Sequence, residues 1–199
     1  MTQMPQIEIG PSDKGYPYQI TRRLGNKAPR QFSALGNLEL LAVPKTALFC
    51  SSRCHGNVIL TAYDQAAMWR DAGRCVISGF HSPVEKECPQ ILLRGARPMI
   101  ICPARSLPRR VSPEWRQPLA AGRLLVLSAF SARENRVTAA LAIRRNEFVA
   151  ALADEVFIAH ATAGGHLDSL SHRLRVWGTS LIKPSPISHA NTSQQSRHE

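Results

Sequence analysis

The chain has 199 residues, 44% of them hydrophobic, which is enough to bury a sizeable core and fits one domain with extensions. Its 25 basic residues, 20 of them arginine, outnumber 14 acidic ones and set a net charge of +11 and a pI near 10.2. No run approaches the roughly 20 apolar residues of a membrane helix, and the polar start Met1-Thr2-Gln3 lacks the parts of a signal peptide, so a cytoplasmic protein that does not enter the membrane is expected.

Residues 1–35 are rich in proline, glycine and charge, with Tyr16-Pro17 and Ala28-Pro29 as punctuation, and read as an irregular or one-helix lead-in docked on the main domain. From there to residue 184 short apolar runs alternate with helical segments. The strand candidates are Thr46 to Cys50, Arg74 to Gly79, Pro98 to Cys102, Leu124 to Phe130, Glu155 to Ala161 and Thr179 to Lys183. They are nearly continuous apolar runs, as expected of parallel strands covered on both faces. The expected fold is therefore α/β, a doubly wound and mainly parallel sheet with helices on both faces.

The helices carry boundary signals. Leu60 to Ala72 closes at Gly73; Ser82-Pro83-Val84-Glu85 combines an N-cap serine, a proline at the first helical position and a glutamate at the third. Ser112-Pro113-Glu114 opens another helix, ending near Gly122, and a further helix spans about Thr138 to Asp154. Residues 185–199 carry few apolar side chains and read as a disordered polar tail.

The five cysteines are Cys50, Cys54, Cys75, Cys88 and Cys102. The number is odd, three fall in strands, and no paired Cys-x-x-Cys spacing accompanies them, so they read as core thiols rather than as disulfides or a zinc site. No metal and no cofactor is expected.

Ligands of an open α/β sheet sit outside the carboxyl ends of its strands, near the point where strand order reverses. Arriving there are Ser51, Ser52 and Arg53 from the first parallel strand; Ser78, Gly79, Phe80 and His81 from the second; Arg105 from the third; Ser128 and Phe130 from the fourth; and Thr162, Gly164 and Gly165 from the fifth. Hydroxyls, turn amides and guanidinium groups suit an anion, phosphate above all. An arginine-biased genome is the competing source of the charge, but the pI is high even so, which favours nucleic acid. In the helix after Thr138, the spacing of Val137, Leu141, Phe148 and Leu152 places Arg144 on the apolar face, as either a paired or snorkelling side chain or an anion ligand; Arg145 and Asn146 follow it. Acids and bases near the crevice are few, and no dinucleotide turn or triphosphate loop occurs, so no catalytic residue is assigned.

Read together, Tyr16-Pro17, Ala28-Pro29, Gly36-Asn37-Leu38-Glu39-Leu40-Leu41, Ser51-Ser52-Arg53, Ser78-Gly79, the segment Leu124 to Ser128, Arg145-Asn146 and Gly164-Gly165 resemble, in order and spacing, the DNA-processing protein A (Smf) family. That family belongs to the Rossmann-like group that includes the cytokinin-activating phosphoribohydrolases. The resemblance implies a Rossmann-like single-stranded DNA-binding protein that protects incoming DNA, helps load the RecA recombinase during natural transformation, and forms a homodimer. It implies a pocket lined by Ser52, Arg53, Ser78, Gly79, Arg145 and Asn146. The chain departs from the family pattern at Phe80-His81-Ser82-Pro83-Val84-Glu85, at Cys88-Pro89 and at Glu147, so it reads as a divergent, minimal member. The alternative is a small-nucleotide sensor or phosphoribohydrolase; against the enzyme, Thr162-Ala163-Gly164-Gly165-His166-Leu167-Asp168 lacks the third glycine and the glutamate of that group's turn.

Overall fold

Long-range strand pairing joins eight strands into one sheet of order β1-β2-β6-β5-β4-β3-β7-β8 in the computed structural model, which describes residues 5–182 and 184. The elements are β1 (Ile7–Ile9), α1 (Tyr18–Leu24), β2 (Phe32–Gly36), β3 (Lys45–Cys50), α2 (Gly56–Ala72), β4 (Cys75–Ser78), α3 (Pro83–Leu93), β5 (Met99–Ile101), α4 (Pro113–Ala120), β6 (Leu124–Ser128), α5 (Ala139–Leu152), β7 (Glu155–His160), α6 (His166–Val176) and β8 (Ser180–Ile182). Strands β3 to β8 pair in parallel, each of the first five feeding a helix that returns the chain to the amino edge. This is the Rossmann-like, doubly wound α/β architecture expected from the apolar runs.

The core has two layers. Helices α2, α3 and α4 cover one face of the sheet through Ala62, Ala66, Trp69, Val84, Cys88, Leu92 and Leu119, while α1, α5 and α6 cover the other through Ile20, Leu24, Phe148, Val149, Leu167, Leu170 and Leu174. Being covered on both sides, β3 is buried at all six positions, which is why its sequence does not alternate.

The lead-in is more ordered than its composition suggests. Strands β1 and β2 add antiparallel to the β6 edge, with Ala34 opposite Leu127 and Leu35 opposite Val126. Helix α1 is held from the side by Arg23, whose Nη1 donates to the carbonyls of Ala150 (3.4 Å), Ala151 (3.0 Å) and Ala153 (2.6 Å). Those carbonyls belong to the end of α5, where a helix leaves its last acceptors without intrahelical partners. The expected tail, 185–199, lies outside the described residues. No helix among the described residues is long and apolar enough to cross a membrane.

Candidate functional site

Strand order reverses between β3 and β7: the chain leaves β3 for α2 on one face and leaves β7 for α6 on the other. Their loops therefore diverge and open a crevice at the carboxyl edge. Ser51 ties the two together, its N–H donating to the His160 carbonyl at 2.9 Å and its Oγ accepting from the Thr162 N–H at 3.1 Å. Ser52 and Arg53 are exposed beside it, and the His55 and His160 rings stand edge to face 6.2 Å apart.

The next loop is closed from within. Ser82 caps α3 as expected, and Glu85 completes the capping box, but this buried carboxylate does more. Its Oε1 accepts from the Cys50 N–H at 2.9 Å, and its Oε2 from the His81 N–H at 2.9 Å and the Ser82 N–H at 3.4 Å. Three amides at the ends of β3 and β4, where a phosphate was expected, thus already hold an internal anion. Ser78 is likewise consumed: fully buried, it donates to the Leu48 carbonyl at 2.8 Å and accepts from the Phe80 N–H at 3.1 Å. Phe80 takes a left-handed φ of 46°, costing about 1–2 kcal/mol for a side chain of this kind, and its ring packs in the core beside Val84.

Arg145, not Arg144, is the arginine on the apolar face of α5. Val137, which set the predicted phase, is exposed and lies before the Thr138 N-cap; the buried positions Leu141, Arg145, Phe148 and Leu152 follow the true phase. The Arg145 guanidinium occupies the space beside Gly79 that a Cβ would need, and donates to the Cys102 carbonyl at 3.0 Å and to Asn146 Oδ1 at 2.7 Å. Burial lowers its pKa and the charge of Glu85 raises it. Gly79 is thus required for the close approach of Arg145. His81 sits at the mouth of this turn with its pKa pushed below the ordinary histidine value, first by desolvation and then by the Arg145 charge.

The Gly164-Gly165 turn is also filled: the Gly164 N–H donates to Asp168 Oδ2 at 2.9 Å, so the start of α6 carries its own carboxylate. Arg144 is exposed, pairs with Glu134 at 2.8 Å and lies 5.2 Å over the Phe130 ring.

The loops after β5 (residues 102–112) and β6 (residues 129–138) have a different character. They are tied to each other, Ser106 N–H to the Glu134 carbonyl at 2.9 Å and Ser128 Oγ to the Arg105 carbonyl at 2.7 Å. From this platform Arg105, Arg109, Arg110, Arg133 and Arg136 project into solvent, and none of them makes an ion pair among the described residues. Glu134, the only carboxylate on either loop, is occupied by Arg144 and by the Ser131 N–H and Oγ. Burial raises its pKa, but those hydrogen bonds and the Arg144 charge outweigh this and hold it below the usual range. A groove of about 970 Å³ opens beside this platform, between the lead-in and α5, with Lys27 and Arg30 on one wall and Arg144 and Phe130 on the other. Of these cations sequence reasoning singled out Arg105 and Arg144; the dense arginine spacing in two polar segments of similar length was the signal for Arg109, Arg110, Arg133 and Arg136.

The five cysteines are free. Burial pushes the thiols of Cys50, Cys88 and Cys102 up to about 12 and that of Cys75 to about 11, so these four remain protonated at neutral pH. Among the described residues no group of three or more His, Cys, Asp or Glu side chains is arranged to hold a metal ion.

Fold and site together define a Rossmann-like α/β protein whose carboxyl edge displays side-chain arginines rather than open backbone nests. The chain belongs to the DNA recombination-mediator protein A family, whose model matches residues 8–192. It is similar in structure to DNA processing protein A (DprA) from Streptococcus pneumoniae, with a TM-score of 0.73 at 19% identity, covering 94% of this chain and 65% of that one. DNA processing protein A from Helicobacter pylori, described for its single-stranded DNA binding mode, matches with a TM-score of 0.69 at 18% identity over 93% of this chain and 83% of that one. At such identities the likeness shows the fold. No curated protein matches the chain.

Proposed function

We propose that the carboxyl edge of the sheet binds single-stranded DNA through its phosphates, without chemistry on the strand. The observation that carries this reading is the set of six exposed arginines on the loops after β3, β5 and β6, Arg53, Arg105, Arg109, Arg110, Arg133 and Arg136, none of them in an ion pair among the described residues. A guanidinium presents a donor fork matched to phosphate and, lacking an internal carboxylate, gains most from an external anion. The single-strand preference is supported by the binding mode described for the H. pylori relative. Base stacking contributes little, because Phe80 and Phe130 are buried and Trp115 is half-buried against the core, so discrimination between sequences is weak. On the family's role, the bound strand is handed to a RecA-type recombinase, and a homodimer doubles the number of these arginines and raises avidity.

The test is a fluorescence-anisotropy titration of labelled single-stranded and duplex oligonucleotides at several salt concentrations. Six phosphate contacts on a single strand correspond to a log–log salt slope of about −4. Arg105→Ala/Arg109→Ala/Arg110→Ala is expected to flatten that slope by about 2 units with the fold intact. Equal affinity for duplex and single strand, or an unchanged slope in the triple variant, would overturn the reading and turn attention to nucleoside monophosphates as ligands.

A further inference from the structure

The opposite edge of the sheet, where α2 and α3 end and β4, β5 and β6 begin, carries a second concentration of positive charge. Each of these adjacent strands is entered through an arginine: Arg74 before Cys75, Arg97 two residues before Met99, and Arg123 before Leu124. The strands are in direct register, Val76 beside Met99 and Met99 beside Leu124, so the three entries stand in a row about 10 Å across at the usual strand spacing. Arg70 in the last turn of α2 and Arg94 at the end of α3 join them.

The arginine side chains pack against the two glycine turns of this edge. A Cβ on Gly73 would lie 2.6 Å from Arg97 Nε, and one on Gly95 would lie 2.6 Å from Arg70 Cγ. Arg123 Nη1 donates to the Gly95 carbonyl at 2.8 Å. Gly95 thus has the Arg70 stem on one side and the Arg123 head on its carbonyl, with Arg94 as its chain neighbour. Two carboxylates answer the five cations: Asp71 pairs with Arg70 at 2.7 Å and Glu155 with Arg74 at 2.5 Å. Arg94, Arg97 and Arg123 form no ion pair among the described residues, and Arg94 and Arg97 are exposed. Like charges gathered on one edge of a sheet repel one another, and an external anion relieves the repulsion. A row along a sheet edge fits a linear polyanion, and the fork of arginine suits phosphate rather than carboxylate spread over a protein surface.

We propose that this amino-edge row, Arg94, Arg97 and Arg123 flanked by Arg70 and Arg74, is a second binding surface for the phosphate backbone of nucleic acid, taking a segment separate from the one at the carboxyl edge. It rests on its own residues and does not require the carboxyl-edge assignment. A protomer then holds two stretches of strand at opposite ends of its sheet.

The experiment compares four proteins against labelled oligothymidylate over a salt series: wild type, Arg94→Ala/Arg97→Ala, the carboxyl-edge triple variant, and the combination. Photo-cross-linking to a reactive oligonucleotide with peptide mapping is run in parallel, and Arg94→Lys/Arg97→Lys serves as the charge-conserving control. Loss of two phosphate contacts flattens the log–log salt slope by about 1.4 in either background. The lysine pair retains the wild-type slope, and cross-links fall on the peptide spanning residues 94–98 even in the triple variant. An unchanged slope in Arg94→Ala/Arg97→Ala, or cross-links confined to the carboxyl-edge loops, overturns the proposal. So does competition by polyglutamate that matches oligonucleotide charge for charge, which would assign the row to an acidic protein partner. If the triple variant binds like wild type while the amino-edge pair does not, the carboxyl-edge reading falls and this one stands.

Discussion

At the ends of β3 and β4 the carboxyl edge is shut by the chain itself: Glu85 collects three backbone N–H groups, Ser78 is consumed between Leu48 and Phe80, and Arg145 is pressed onto Gly79. At the ends of β5 and β6 the same residue types face outward, with Arg105, Arg109, Arg110, Arg133 and Arg136 exposed and the one carboxylate already engaged. A Ser-Gly turn and an arginine read as binding chemistry in one dimension; in three dimensions their polar groups make contacts within the scaffold. On the proposed reading the binding chemistry lies on loops whose arginines make no ion pair among the described residues. The two sets of residues should therefore respond to mutation in opposite ways: stability changes at Ser78, Gly79, Glu85 and Arg145, affinity changes on the β5–β6 loops and at Arg53.

The largest effect is expected at Arg145. Arg145→Ala leaves the Cys102 carbonyl without its donor and removes the cation that faces buried Glu85, at a cost of about 3–5 kcal/mol in urea unfolding. Binding measured on the folded fraction should survive. A variant of wild-type stability that no longer bound DNA would break the comparison, by making Arg145 a ligand residue.

Next comes Glu85→Gln, which keeps one acceptor oxygen but turns an NH₂ group toward backbone donors. The expected loss is about 1–3 kcal/mol, seen as a lowered melting temperature, because buried N–H groups are left unpaired. Unchanged stability would mean that the turn amides are free to take an external anion after all.

The smallest effect concerns pH. His81 and His166 both have pKa values pushed below 6.5, in each case first by desolvation. A histidine whose folded value is depressed favours folding above its unfolded pKa, and that contribution is lost as pH falls from there through the folded value. Stability should decline slightly on going from pH 7 toward 5, and the double variant His81→Gln/His166→Gln should flatten that limb of the profile. A decline of equal size in the double variant would assign it to the carboxylates instead.

Local chemistry determined much of this molecule. Continuous apolar runs such as Thr46 to Cys50 and Leu124 to Ser128 demanded buried parallel strands, and Ser82-Pro83-Val84-Glu85 specified a capped helix, because these signals depend on neighbours within a turn or a strand. The motif order carried the family, and the charge pointed to a polyanion. Tertiary structure alone decided that Phe32 to Gly36 is a strand, since its partner Leu125 to Ser128 is some 90 residues away. It also decided that Arg145 and not Arg144 is buried, since the helix phase starts after Val137. Above all it decided that Glu85 and Asp168 fill the turns that looked ready for phosphate, because whether an amide is open depends on which side chain folds back over it, and no spacing in the sequence records that.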